Sequence, residues 1–176
     1  METARATEKA RHVRVAVFDV DGILTDGTLY LSDSGEEMKA FNSRDGHGLR
    51  MLQDAGVTLA ILTGRRSRCV EHRCRDLGIS HVLQGVKDKR AGLEELQALL
   101  GVTADAMAYM GDDVIDLPVL RRCRFAITVP EAPAIVQANV DYITTAGGGR
   151  GAVREVCEFI LQAQGLLSAQ LARHLA

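Results

Sequence analysis

Short apolar runs alternate along this chain with longer helix-type segments, and this alternation constrains the fold more than any other feature. The strand-type runs are VRVAVFDV, VTLAILTG, HVLQG, AMAYMGD and RFAITV. The segments between them include DGHGLRMLQDAG, RRSRCVEHRCRDLG and DKRAGLEELQALLG, which end at Gly56, Gly78 and Gly101 as helices often do, and DVIDLPVLRRC. The alternation predicts an α/β fold: a Rossmann-like, mostly parallel sheet with helices on both faces.

One segment after the first strand departs from the alternation. TLYL and EEMKAF stand on either side of the turn SDSG, which predicts a small β-hairpin at about 27–42 rather than a crossover helix. Such a hairpin is too small to form a separate cap domain, so closure over a site would need a neighbouring subunit. The 176 residues suit a single domain, 1–176. It would end in a helix, AVREVCEFILQAQ, and a weakly helical tail at about 166–176 whose outermost residues are expected to be mobile.

Composition limits the classes of partner. The formal net charge is -2 and no dense basic run or RNA-type aromatic cluster occurs, so we expect no nucleic acid partner. The N-terminal METARATEKARH lacks the apolar core of a signal peptide, and no stretch of about 18 apolar residues could span a bilayer. We therefore expect a cytoplasmic protein with no membrane partner. The four cysteines lack C-x-x-C spacing and are expected to be reduced, structural thiols.

The candidate functional residues occur near the ends of the predicted strands. These residues are Asp19 and Asp21 of DVDG, Thr63, Gly64 and Arg65, Lys89, and Asp112, Asp113 and Asp116 of GDDxxD. Ligands bind beyond the carboxyl ends of the strands in open α/β sheets, so we expect two of these acidic clusters to converge. Carboxylates about 4 Å apart repel by about 4 kcal/mol at an effective dielectric near 20, which a divalent cation would relieve. Oxygen ligands together with phosphate favour Mg²⁺.

The residue types suit phosphoryl transfer. Asp19 suits the nucleophile that forms an aspartyl-phosphate, and Asp21 suits a general acid that then becomes the general base. The Thr63 hydroxyl and the backbone amides after it could bind phosphoryl oxygens, while Lys89 would supply positive charge. Lys87 competes with Lys89 for this role.

Each motif also has a structural explanation. A D-x-D sequence is common in surface turns, and Thr63 with Gly64 could simply end a strand. A lysine in the run KDKR could begin a solvated helix. The sole role of Asp113 and Asp116 could be to stabilise a helix N-terminus by interacting with the helix dipole. The order of the motifs and their apolar approaches favour the catalytic interpretation.

From Val15 to about Gly165, the order and spacing of these motifs resemble the phosphatases of the haloacid dehalogenase superfamily. The resemblance implies that Asp19 is the nucleophile and a magnesium ligand, and that Asp21 is the acid/base whose backbone carbonyl also binds the metal. It places Thr63 and Lys89 on the phosphoryl group and Asp112 on Mg²⁺. Asp113 and Asp116 would be supporting acids that orient Lys89 or metal-bound water.

The closer resemblance is to the capless branch that includes the 3-deoxy-D-manno-octulosonate 8-phosphate phosphatases. It rests on FDVDGILTDGTLYL, FNSRDGHGLRML, LTGRRS, GVKDK, YMGDDVIDLPVL and GGGRGAVREVCEFILQAQG. It implies a homotetramer in which the hairpins build a central β-barrel, with the tail reaching an adjacent subunit's site. The implied substrate is the eight-carbon sugar acid phosphate of that family, hydrolysed to the free sugar acid and inorganic phosphate in the synthesis of the lipopolysaccharide inner core.

Candidate substrate contacts are Arg65, Asn42, Arg44 and Arg150, together with Thr63, Gly64 and Lys89 around the phosphate. Arg44 could instead form an ion pair and helix cap with Asp45, and Arg150 could be a helix-start residue. Two other functions stay open: a phosphatase for a nine-carbon, sialic-acid-like sugar phosphate, and a non-catalytic oligomerisation module. A receiver domain is disfavoured because its phosphoacceptor lies on a later strand.

Overall fold

A computed structural model describes residues 2–175 of the chain. Its main sheet contains β1 (Val15–Phe18), β4 (Thr58–Thr63), β5 (His81–Gln84), β6 (Met107–Met110), β7 (Phe125–Thr128) and β8 (Tyr142–Ile143). All neighbouring strands pair in parallel, in the order β5-β4-β1-β6-β7-β8. The five predicted strands and the Rossmann-like fold class are confirmed. The strand β8 was not predicted, because its two residues are too few to show a period.

The helices are α1 (Glu2–Arg11), α2 (Ser43–Asp54), α3 (Arg68–Leu77), α4 (Lys89–Leu100), α5 (Leu117–Leu120), α6 (Ala134–Gln137), α7 (Ala152–Ala163) and α8 (Leu167–Ala172). Helices α3 and α4 end at Gly78 and Gly101 as predicted, and Gly56 lies one residue beyond the cap of α2. The first helix escaped sequence analysis because its buried residues, Ala6 and Ala10, are only alanines.

The segment 113–123, predicted as one helix, is a 3₁₀ turn over Val114–Asp116 followed by the four-residue helix α5. Pro118 lies in the first turn of α5, where its missing N–H does no harm. The same proline disfavours a continuous helix from residue 113, since it cannot donate to the carbonyl one turn earlier.

The strands β1, β6 and β7 are buried at every position, as expected of a parallel sheet covered by helices. Helices α1 and α2 pack against α7, while α4 packs against α5. The glycine-rich turn before α7 lies against the loop after β1, where the Gly149 N–H donates to the Ile23 carbonyl at 2.9 Å. This contact closes one side of the region beyond the carboxyl ends of the strands.

The predicted hairpin is present as β2 (Tyr30–Leu31) paired antiparallel with β3 (Glu37–Met38). It exposes large apolar side chains on both of its faces, which we call the hairpin apolar residues: Leu29, Tyr30, Leu31 and Met38. The tail forms α8 and lies beside α2, where the His174 and His47 ring centroids are 5.2 Å apart. Among residues 2–175, no helix has the length and apolar character needed to cross a membrane.

Candidate active site

Three strand ends bring the predicted site residues to one edge of the sheet. Strand β1 lies between β4 and β6, so Asp19, Thr63 and Asp112 leave neighbouring strands. The Asp19 N–H donates to the Met110 carbonyl at 3.0 Å and so extends the pairing of β1 with β6. This is the edge at which open α/β sheets bind ligands.

A buried cluster surrounds the ammonium group of Lys89. Its Nζ lies 2.5 Å from Asp19 Oδ2, 2.5 Å from Asp116 Oδ1 and 3.2 Å from the Tyr109 hydroxyl. The Tyr109 hydroxyl in turn donates to Asp116 Oδ1 at 2.5 Å. Lys87 is exposed, so the geometry distinguishes the two candidate lysines in favour of Lys89.

Burial and ion pairing shift the pKa values of these groups in opposite directions. Burial lowers the pKa of Lys89, but the Asp19 and Asp116 carboxylates more than offset it and keep the pKa above its ordinary value. Burial raises the pKa of Asp19, although Lys89 opposes the shift. Lys89 is therefore a cation held in contact with the carboxylate predicted to attack phosphorus.

The Asp112 carboxylate lies against the backbone of Gly22. A methyl group at Gly22 would meet Asp112 Oδ2 at 2.1 Å, and Gly22 has a φ of +83°, a conformation that glycine adopts readily. Burial, followed by the charges of Asp19 and Asp116, raises the pKa of Asp112 to about 7. The glycine of DVDG is thus required for the approach of the second acidic cluster to the first.

Carboxylate oxygens of Asp19, Asp112 and Asp116 all lie within 4.8 Å of one another and could hold a metal ion. Asp116 already accepts from Lys89 and Tyr109 through one oxygen and from the Asp112 and Asp113 N–H groups, each at 3.1 Å, through the other. Asp19 and Asp112 are consequently the side chains better suited to a cation. Asp113 caps the 3₁₀ turn, accepting from the Val114 N–H at 2.7 Å.

Asp21 points into a second ionic group, formed with the hairpin. Its Oδ1 is bonded to Lys39 Nζ, and its Oδ2 lies 3.6 Å from Arg65 Nε. Glu37 joins both cations, at 3.3 Å from Lys39 and 3.2 Å from Arg65. Arg65, predicted as a substrate contact, therefore lies beside the predicted acid/base.

Sequence analysis missed three members of these clusters: Tyr109, Glu37 and Lys39. Tyr109 is fully buried in β6 and reads as an ordinary core residue of the run AMAYMGD. The alternation of Glu37, Met38 and Lys39 was the available signal for the other two, since alternate residues of a strand share a face. Which face would meet Asp21 is decided by how the hairpin folds back.

The backbone around Thr63 forms a turn at the end of β4. Thr63 is buried, and its carbonyl accepts from the Val86 N–H at 3.1 Å. Gly64, which follows it, is exposed. The turn thus lies between the Asp19 strand and the segment that leads to Lys89.

Asn42 and Asp45 have structural partners. Asn42 caps α2, accepting from the Arg44 N–H at 2.8 Å, and donates to the Gly149 carbonyl at 3.3 Å. Asp45 accepts from the backbone N–H groups of Gly151 and Arg154 and so ties α2 to the start of α7. The cap of α2 is therefore Asn42 rather than Asp45.

Arg44 and Arg150 lie at different distances from the acidic cluster. Arg44 lines a cavity of about 440 Å³ whose described lining includes none of the three clustered aspartates. Arg150 lines that cavity and also a second one of about 270 Å³, which Asp112 lines. Its side chain is 72% exposed and lies 3.4 Å from Asp26. Arg150 thus lines a cavity together with Asp112 of the acidic cluster, whereas Arg44 does not.

Comparison with known proteins finds phosphatases that resemble this chain over most of its length. The model of the haloacid dehalogenase-like hydrolase family matches residues 78–153. A 3-deoxy-D-manno-octulosonate 8-phosphate phosphatase of Escherichia coli K12 is 43% identical over 94% of this chain and 88% of its own length. A probable YrbI-family phosphatase of Pseudomonas syringae has a TM-score of 0.96, 45% identity and 98% coverage of both chains.

A third relative was solved with ligands. The 3-deoxy-D-manno-octulosonate 8-phosphate phosphatase of Moraxella catarrhalis, in complex with a magnesium ion, a phosphate ion and a KDO molecule, is 46% identical to this chain. Its TM-score is 0.94, with 96% of this chain and 97% of that chain covered.

Proposed function

The chain belongs to the haloacid dehalogenase-like hydrolases, among the 3-deoxy-D-manno-octulosonate 8-phosphate phosphatases, and we propose on this premise that it hydrolyses that sugar phosphate with Mg²⁺ as cofactor. The products would be the free sugar acid and inorganic phosphate. The observation that carries the proposal is the convergence of Asp19, Asp112 and Asp116, with ligand oxygens within 4.8 Å of one another, at the carboxyl edge of the sheet.

The donor set fits magnesium. Asp19 and Asp112 offer carboxylate oxygens, and the backbone carbonyl of Asp21 completes the protein ligands that the family implies. Hard oxygen ligands near a phosphate are typical of Mg²⁺. The pKa of Asp112, raised to about 7 by burial and by its acidic neighbours, reflects negative charge that a divalent ion would compensate. When bound, the ion supplies positive charge beside the phosphoryl oxygens and aligns them with the nucleophile.

The chain's own residues then divide the reaction. Asp19 attacks phosphorus and forms an aspartyl-phosphate, while its free rotation is limited by Lys89 at Oδ2 and by the Val20 N–H at Oδ1, 2.7 Å away. Asp21 gives a proton to the departing sugar oxygen and later takes one from the attacking water. Thr63, the Gly64 amide and Lys89 hold the phosphoryl oxygens.

The substrate's sugar acid would lie over the hairpin side of the site. Arg65 and Arg150 are the cations best placed to meet a carboxylate or hydroxyl, because Arg65 lies beside Asp21 and Arg150 lines the cavity that Asp112 lines. Asn42 and Arg44 would affect substrate binding indirectly, by fixing the segment that leads from the hairpin into α2. Such a reaction belongs to the synthesis of the lipopolysaccharide inner core.

The exposed apolar residues of the hairpin suit a single-domain subunit that associates with other copies through this hairpin. The hairpin apolar residues include Leu31 at 60% and Met38 at 69% exposure, on a two-stranded sheet separate from the main sheet. Exposed apolar clusters of this kind mark interaction sites. We assign the hairpin to the centre of a homotetramer, with neighbouring subunits covering each site.

The test is phosphate release over a panel of eight- and nine-carbon sugar acid phosphates, with magnesium, with chelator, and with magnesium restored. We expect preference for the eight-carbon substrate and reversible loss of turnover on chelation. Asp19→Asn should abolish turnover and keep the fold, whereas Asp105→Asn, at an exposed position remote from the site, should not. Preference for the nine-carbon compound would overturn the substrate assignment, and magnesium-independent binding without phosphate release would favour the non-catalytic module.

A further inference from the structure

The two faces of β3 have different surroundings. Glu37 and Lys39, the residue that directly follows β3, lie on one side, and their side chains are 17% and 2% exposed. Met38, between them, is 69% exposed on the other face. A short strand at the surface thus sends one lysine into the interior, beside the active site.

The buried lysine contacts the carboxylate predicted to exchange protons with substrate and water. Lys39 Nζ is bonded to Asp21 Oδ1, while Arg65 Nε lies 3.6 Å from Asp21 Oδ2. The two carboxylate oxygens therefore face two different cations. Together these contacts restrict rotation of the Asp21 side chain about both of its torsions.

The two cations differ in freedom. Arg65 is 48% exposed, so its guanidinium can turn toward a ligand at little cost. Lys39 is only 2% exposed, and a buried ammonium that loses its anionic partner is strongly penalised. Glu37 Oε1 lies 3.3 Å from Lys39 Nζ and holds the ammonium from another side. Lys39 is thus the fixed contact of Asp21, and Arg65 the movable one.

We propose that Lys39 is a positioning residue that holds the Asp21 carboxyl group within reach of the leaving-group oxygen. The inference rests on the proposed phosphatase function. Lys39 itself transfers no proton. As the bond between Asp19 and phosphorus forms and the bond from phosphorus to the sugar oxygen breaks, the Asp21 proton passes to that oxygen. Water then attacks the aspartyl-phosphate, and its proton returns to Asp21 as Asp19 is released.

The experiment compares Lys39→Met with wild type on two substrates, the sugar acid phosphate and p-nitrophenyl phosphate. The alkoxide of the sugar needs a proton in order to leave, whereas p-nitrophenolate leaves without one. We measure kcat/KM, which reports the steps up to departure of the leaving group. The expected result is a loss of about 100-fold for the sugar phosphate, with KM nearly unchanged and a much smaller loss for the aryl phosphate.

Two further variants separate positioning from folding. Lys9→Met removes another lysine that pairs with an aspartate, Asp141 at 2.6 Å, and should leave both substrates unaffected. If Lys39→Met does not fold, Lys39→Gln replaces it in the test, because it keeps a hydrogen-bond donor. We expect Lys39→Gln to lose more activity on the sugar phosphate than on the aryl phosphate, by a smaller factor than Lys39→Met. In an Asp21→Asn background, Lys39→Met should add no further leaving-group dependence.

The outcomes distinguish this inference from the function on which it rests. A wild-type protein that hydrolyses neither phosphate ester overturns the proposed function. An active wild type with equal losses on the two substrates in both Lys39 variants overturns the positioning role and leaves Lys39 as a residue that only docks the hairpin.

Discussion

The Lys89 ammonium lies 2.5 Å from Asp19 Oδ2, although 70 residues separate them in the chain. The same ammonium lies 2.5 Å from Asp116 Oδ1, so one buried cation connects the first acidic motif to the last. Lys89 begins α4, and Asp88 caps that helix by accepting from the Arg90 and Ala91 N–H groups. The start of a helix therefore fixes the charge that faces the nucleophile.

Removal of this cation should cost both stability and activity. Lys89→Met would leave two buried carboxylates without their partner, and we expect the free energy of unfolding to fall by about 3–5 kcal/mol. Phosphate release should fall to background. Lys87→Met, two residues away and exposed, is the matched control and should change neither quantity. Equal urea midpoints for Lys89→Met and wild type would contradict the described cluster.

Tyr109→Phe tests the residue that sequence analysis missed. The change removes a hydroxyl that donates to Asp116 Oδ1 at 2.5 Å while it keeps the ring in the core. We expect a loss of about 1–3 kcal/mol in stability and a lower kcat. Tyr142→Phe, which removes a hydroxyl bonded to Glu155 at 2.8 Å outside the site, should leave kcat unchanged. If both variants had the same kcat, the hydroxyl would have no part in ordering the site.

Gly22→Ala should weaken magnesium binding. The added methyl group would meet Asp112 Oδ2 at 2.1 Å and displace that carboxylate. Gly35→Ala is the control, because Gly35 has nearly the same φ, +81° against +83°, but no heavy atom within 4 Å of the added methyl group. Calorimetric titration with Mg²⁺ should show weaker binding for Gly22→Ala alone. Equal affinities in the two variants would mean that Asp112 does not bind the metal.

Magnesium should stabilise the protein increasingly as pH rises. The pKa of Asp112 is raised to about 7, mainly by burial, whereas in the unfolded chain an aspartate ionises near pH 4. Between these values the folded, metal-free protein binds a proton that the unfolded chain has released, so its free energy of unfolding falls as pH rises. Bound Mg²⁺ replaces that proton and reverses the loss.

The measurement is the magnesium-induced increase in Tm at about pH 5 and at about pH 7.5, which should be larger at the higher pH. Asp112→Asn should remove most of the dependence. A shift of equal size at both pH values in the wild type would argue against competition between a proton and Mg²⁺ for the Asp112 carboxylate.

Met38→Glu tests the hairpin as an interface. Met38 is 69% exposed, and a charge in the centre of a subunit contact would have to be desolvated. We expect the sedimentation mass to fall from that of a tetramer to that of smaller species. Leu99→Glu changes another exposed apolar residue, at 62% exposure on α4, and should leave the mass unchanged. A monomeric wild type would exclude the tetramer outright.

Local patterns in the sequence were sufficient for the fold class. The five principal strands, the hairpin and the ends of α3 and α4 each follow from a period or a glycine within a few consecutive residues. Elements without a strong local pattern were missed. Helix α1 buries only alanines, and β8 has two residues.

The sequence was sufficient to identify the acidic residues of the site, but much less so to predict which side chains contact one another. Asp19, Asp112 and Lys89 could be selected because each follows a recognisable strand or begins a helix. The choice of Lys89 over Lys87, by contrast, depends on which turn of the chain faces β1. Asp116 accepts hydrogen bonds from Lys89 and from Tyr109, and nothing in the sequence around Tyr109 distinguishes it from an ordinary core residue.

The sequence by itself determined the alternation of strands and helices and the order in which the acidic motifs follow the strands, because both depend on residues adjacent in the chain. Only the tertiary structure decided that Lys89 joins Asp19 to Asp116, and that Lys39 of the hairpin reaches Asp21. Those contacts join residues 18 to 70 positions apart. They arise from the strand order and from the direction in which the hairpin folds back, neither of which any local period specifies.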